Sequence, residues 1–214
     1  PATPIDSVEI ADPGCVGGDW RPFALTYRDG ALYAGGICDA SESLARADLA
    51  VHILKLEGGS FESIYSHGLD FRRGQQDYAD PVGNLTDPDV ATHWNPWRDT
   101  YDADIAQAFN TIPLYPMPLL TTFAFENDGS IILGFRDRKP DAVVKNGYGP
   151  DGTSPTIGHV SGGDMNKVCL TAGVYEWEGT GACPNNHTAD NSGGEPADQV
   201  EFFPGEFMLG AERY

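Results

Sequence analysis

Apolar and polar residues alternate along residues 22–39: Phe23, Leu25 and Tyr27 recur at a spacing of two, Asp29-Gly30 follows, and Leu32-Tyr33-Ala34-Gly35-Gly36-Ile37 returns. A period of two is the mark of a β-strand. Asp-Gly between two such runs predicts a tight hairpin, because both central positions of the turn need positive φ. Residues 41–48 suggest one helical turn, and two further strands are expected at 49–56 and 61–65 around Gly58-Gly59. Four consecutive antiparallel strands are the content of one propeller blade.

The opening pattern recurs. Residues 119–125 read as a strand, Asp128-Gly129 as its turn, and Ile131-Ile132-Leu133-Gly134-Phe135 as the returning strand. Asp29-Gly30 matches Asp128-Gly129, and Gly35 matches Gly134, at one constant offset. Residues 167–170 and 174–177 then supply outer strands for a second unit. An internal repeat of this kind marks a radial or stacked architecture. The expected fold is all-β: a β-propeller segment of about two four-stranded blades with partial flanking strands and long loops, with a β-sandwich as the alternative. Unit one covers about 16–68, a long loop about 69–117, unit two about 118–180, and a further unit starts at about 199–214. Two blades do not close a ring. Residues 5–10 and 200–209 look like strands without partners, so the chain reads as one incomplete propeller-like region.

Composition sharpens this picture. Gly (26) and Pro (16) are abundant, as suits many short strands joined by turns. The formal net charge of −19 comes from 32 acids spread along the chain. Such a surface repels nucleic acid, whose binding needs clustered Lys and Arg. There is no apolar run long enough to predict insertion into a membrane. Four cysteines fall into two local pairs with no C-x-x-C spacing. Their even number predicts the disulfides Cys15–Cys38 and Cys169–Cys183 and an oxidising, extracellular or cell-surface location. Each bridge is worth roughly 3 kcal/mol by the chain-entropy argument. The alternative is four reduced, buried thiols.

Arg21-Pro22-Phe23-Ala24-Leu25, then Asp29-Gly30, then Tyr33-Ala34-Gly35-Gly36-Ile37-Cys38 resembles a segment of large bacterial surface proteins that carry SdrD B-like domains. Leu69-Asp70-Phe71-Arg72-Arg73-Gly74, Trp94-Asn95-Pro96-Trp97, Gly134-Phe135-Arg136-Asp137-Arg138, Ser161-Gly162-Gly163-Asp164 and Phe203-Pro204-Gly205-Glu206 look like later landmarks of the same region. The resemblance covers most of the chain in order. It implies an extracellular propeller-like module inside a longer multidomain protein, and it brings no catalytic residues with it.

Motifs that carry chemistry are sparse. No G-x-S-x-G elbow or H-E-x-x-H helix is present, and the five histidines share no ligand spacing. Calcium takes clustered oxygen ligands. Asp99, Asp102 and Asp104 offer such a cluster, against the plainer reading of a solvated acidic loop. Trp94 and Trp97 flank Pro96, where indoles either stack on a surface glycan, anchor a protein partner, or pin the loop to the core. Arg136, Asp137 and Arg138 end an apolar strand, first as a salt-bridged strand end facing a channel and second as a ligand contact. The expected function is a non-catalytic structural or adhesion module of a bacterial surface or secreted protein, completed by further polypeptide or neighbouring subunits. The rival is a secreted carbohydrate-active or ester-cleaving enzyme using the channel face.

Overall fold

The computed structural model describes residues 7–71, 90, 93–98, 115–138 and 163–184. These residues form two four-stranded antiparallel sheets. The first is the meander β1 (Trp20–Arg28), β2 (Ala31–Cys38), β3 (Ala50–Glu57) and β4 (Ser60–Gly68). The second is β5 (Pro118–Phe125), β6 (Ile131–Asp137), β7 (Asp164–Thr171) and β8 (Val174–Trp177). A 3-10 turn at Arg46–Asp48 falls within the segment where a helical turn is expected. The part of the expected N-terminal strand that is described, residues 7–10, is not a strand. Residues 200–209 lie outside the described residues.

The repeat is structural as well as sequential. β1 carries a bulge at Phe23, between the pairs Pro22–Gly36 and Ala24–Gly35. β5 carries one at Thr121, between Leu120–Phe135 and Thr122–Gly134. The two hairpin loops differ by one residue. Asp29 (φ 50°) and Gly30 (φ 83°) close a two-residue turn, as both positive φ values allow. In the second hairpin the N–H of Glu126 donates to Ser130 O (2.8 Å), enclosing Asn127, Asp128 and Gly129. The offset of 99 therefore holds from the turn through β2 and β6, whereas β1 maps onto β5 at an offset of 98. Leu25 is the counterpart of Phe123, and Tyr27 that of Phe125.

The sheets stack face to face with like strand over like strand. β5 packs on β1 and β2. Tyr33 of β2 meets Phe125 of β5 (ring centroids 4.7 Å). At the other end His67 of β4 stacks on Trp177 of β8 (4.3 Å), and Tyr65 of β4 meets Tyr175 of β8 (6.0 Å). Stacked counterparts run in the same direction, since Tyr65 and His67 face Tyr175 and Trp177 in that order. Away from the bulges, successive residues of each strand face opposite sides of the sheet. Ile53 and Tyr65 of the first, and Leu120, Phe123, Ile131, Leu133, Phe135 and Val168 of the second, are buried in one core. Arg28 clips the hairpin tips together by donating from Nη1 to Glu126 O (2.7 Å).

Gly35 makes this stacking possible. A methyl group on its α-carbon would lie 2.8 Å from Leu120 Cδ2 and 2.9 Å from Phe123 Cε1. The absent side chain is the groove that receives β5.

Candidate functional site

Most of the residues expected to make contacts gather at one end of the stack. Asp39, just past β2, is fully buried. Its carboxylate accepts hydrogen bonds from Asp19 N (2.8 Å), Ser41 N (3.0 Å) and Arg21 Nε (2.7 Å). Burial alone would raise its pKa, but these donors outweigh burial and hold it below the usual carboxylate value. Arg21 spreads further, reaching Asp19 (2.8 Å) and lying over the Trp97 ring (5.3 Å to the centroid).

A second guanidinium, that of Arg138, also lies over the Trp97 ring, at 4.3 Å from its centroid. Its indole N–H donates to Pro118 O (2.6 Å), and its backbone N–H to Asp39 O (2.9 Å). Trp94 is fully buried against Phe135 (6.0 Å). Between them Asn95 ties the segment down. Its Nδ2 donates to Val90 O (2.9 Å) and His93 O (3.0 Å), and its Oδ1 accepts from Arg46 Nη2 (3.1 Å). Both indoles are thus turned into the core. Lacking a sheet ladder, the segment hydrogen-bonds to Arg46, Asp39, Pro116 and Pro118, which come from elsewhere in the chain.

Asp137, at the end of β6, is buried and accepts the Met117 N–H (3.0 Å). Arg138 donates through its backbone to Met117 O (2.9 Å) and through Nη1 to Arg98 O (3.4 Å). Arg136 points to the opposite, exposed face. The structure therefore brings Trp97, Asp137 and Arg138 together around the strand end, and sets Arg136 apart.

Both expected disulfides are present: Cys15–Cys38 and Cys169–Cys183, each with Cα atoms 5.3 Å apart. The first ties residues 7–19 to the end of β2, and the second ties the segment after β8 back to β7. Asp99, Asp102 and Asp104 lie outside the described residues. Among the described residues no group of three or more His, Cys, Asp or Glu side chains is arranged to hold a metal. A shallow groove of about 430 Å³ runs between β4 and the β7–β8 turn, lined by Ser63, Tyr65, Val174 and Tyr175 among others.

The chain is similar to three large proteins of Dictyostelium discoideum. It is 27% identical to colossin-C over 186 residues, 85% of this chain and 15% of that protein. It is 24% identical to colossin-A over 166 residues, 77% of the chain and 1% of that protein. With colossin-B the identity is 22% over 172 residues, 77% of the chain and 4% of that protein. This chain thus spans 15% or less of the length of each of these relatives. No family model and no solved structure matches it. The organism of these relatives lends the bacterial attribution no support.

Sequence reasoning missed three features. Arg21 and Asn95 carry the polar network around Trp97; both stand inside segments singled out above, but nothing local reports that role. His67 lies in an aromatic ladder with Trp177 and, through Trp177, Phe71 (5.3 Å). Its contact crosses between sheets, so no local spacing reports it. Finally, Phe23, Leu25 and Tyr27 alternate as core residues do, but are 63%, 61% and 71% exposed. Matching β1 to β5 through the repeat equates the two faces, but only the structure shows that one is covered and the other open.

Proposed function

We propose that the chain is a non-catalytic structural and adhesion module of a secreted or cell-surface protein, built as a β-propeller segment and completed by further polypeptide of the same protein or by neighbouring subunits. The observation that carries the reading is the same-direction stacking of two equivalent four-stranded meanders, β1 under β5 and β4 under β8. Adjacent propeller blades stack in this way, each burying one face on its neighbour. Two disulfides fit an oxidising compartment. No helix among the described residues is long and apolar enough to cross a membrane. The small share of each colossin that the chain spans agrees with a module inside a longer protein. The resemblance to bacterial surface proteins with SdrD B-like domains points to the same architecture. A surface glycan remains among the ligands such a module would serve, and calcium at Asp99, Asp102 and Asp104 would brace its long loop.

The test is the structure of this chain within its longer natural polypeptide. A ring in which further four-stranded units pack on both outer faces is the expected result. A closed two-sheet sandwich with both outer faces in water would overturn the propeller reading. For calcium, the melting midpoint should rise with added ion and fall with chelator; identical curves would remove the ion from the proposal.

A further inference from the structure

The outer face of the first sheet carries an apolar strip on β1: Phe23, Leu25 and Tyr27, all more than half exposed. Leu32, Leu56 and Phe61 share that face, since alternation sets them opposite Tyr33, Lys55 and Glu62. Solvated sheet faces ordinarily carry polar residues. Contiguous exposed apolar residues on a sheet mark a surface meant to be covered.

The repeat says what covers it. The counterparts of Leu25 and Tyr27 in the second sheet are Phe123 and Phe125. Phe123 is 3% exposed and sits in the groove left by Gly35, while Phe125 packs on Tyr33. The face of β5 that lies on the first sheet is therefore the same face that β1 leaves open. At the other end of the stack, the second sheet repeats the receiving surface. Gly134 stands where Gly35 stands, and Ile132 where Tyr33 stands. Among the described residues, a methyl group at Gly134 would meet only atoms of Thr122, in its own sheet. Its groove is open, with Thr122, Ala124 and Met165 exposed beside it.

We propose that β1's strip is a docking surface for a second copy of this chain, which seats the outer face of its β5–β6 hairpin there, head to tail. In this arrangement Leu25 enters the partner's Gly134 groove as Phe123 enters that of Gly35, and Tyr27 lies on the partner's Ile132 as Phe125 lies on Tyr33. The contact is heterologous, so each docked copy presents a fresh strip and the association adds copies in one direction. The inference rests on the reading of the chain as two repeated units, not on whether such units close a ring.

Sedimentation velocity of the full chain over a dilution series tests it. Average mass should rise with concentration and pass beyond that of a dimer. Leu25→Glu with Tyr27→Glu removes the strip, and Thr122→Glu with Ala124→Glu spoils the receiving face. Each should weaken self-association by at least about 30-fold, the effect of losing a central apolar anchor. Mixing the two variants should restore one competent contact and give a complex that stops at two chains. All four positions are exposed, and an unchanged circular dichroism spectrum confirms folding; Leu25→Gln with Tyr27→Gln serves should the charged pair unfold. A wild-type chain that stays monomeric at the highest soluble concentration overturns the proposal. So does undiminished association of the Thr122/Ala124 variant, which would mean strip-on-strip pairing, or a mixture that fails to form the complex. Head-to-tail association by a chain whose longer protein forms no ring would leave this inference standing and remove the propeller.

Discussion

Gly35 and Gly134 occupy equivalent positions, one covered and one open, so replacing each with alanine measures the stacking of the sheets directly. At Gly35 the new methyl group would lie 2.8 Å from Leu120 Cδ2 and 2.9 and 3.0 Å from Phe123 Cε1 and Cδ1. Leu120 is 0% and Phe123 3% exposed, so neither has free space to rotate into. Overpacking of this kind costs about 1–3 kcal/mol. Against it stands the roughly 0.5–1 kcal/mol gained by replacing a glycine inside a strand. The net expectation for Gly35→Ala is a loss of up to about 2.5 kcal/mol. At Gly134 the methyl group would meet Thr122 Cγ2 at 2.7 Å, the end of an exposed side chain that can turn away. Gly134→Ala should therefore be neutral, or stabilise by up to about 0.5 kcal/mol. Urea unfolding of dilute protein is the assay, with the midpoint compared at constant slope. For a chain of this size each 1 kcal/mol moves the melting temperature by about 2–4 °C. A Gly35→Ala midpoint at or above that of the wild type would refute the argument, as would an equal loss at Gly134.

Three further outcomes follow from the same contacts. Replacing Cys15 and Cys38 by serine opens a loop of sequence separation 23 and should cost about 3.4 kcal/mol, and replacing Cys169 and Cys183, separation 14, about 3 kcal/mol; unchanged melting under reducing conditions would contradict both. Burial lowers the pKa of His67 below its ordinary 6.5, outweighing nearby Asp70. The unfolded chain then takes up a proton first, so stability should be full above pH 6.5 and decline as the pH falls below it. His67→Gln should flatten that decline while losing part of the stacking on Trp177, and an unaltered pH profile would rule the histidine out. Asp39 has the opposite origin but the same direction: its carboxylate is held below 3.8, so its contribution is present above that pH and lost in stronger acid. Asp39→Asn should remove this acid-sensitive part and cost about 2 kcal/mol at neutral pH, because buried donors lose a charged acceptor; a midpoint equal to wild type at both pH values would dismiss it.

Local chemistry alone determined a good part of this protein. Alternation over residues 22–39 and the Asp-Gly turns place β1, β2, β5 and β6, because strand period and turn φ are properties of neighbouring residues. The pairing of the cysteines follows in the same way, since each pair brackets a single local segment. The tertiary structure decided how these pieces use their faces. Leu25 and Phe123 stand at equivalent points of equivalent strands, yet one is in water and the other in the core. No local pattern separates them, because alternation says which residues share a face and not whether another sheet lies on it. Trp94 and Trp97 carry the same lesson in an irregular segment. Their burial depends on Arg46, Asp39 and Arg138, which converge from distant parts of the chain and become neighbours only when the sheets stack.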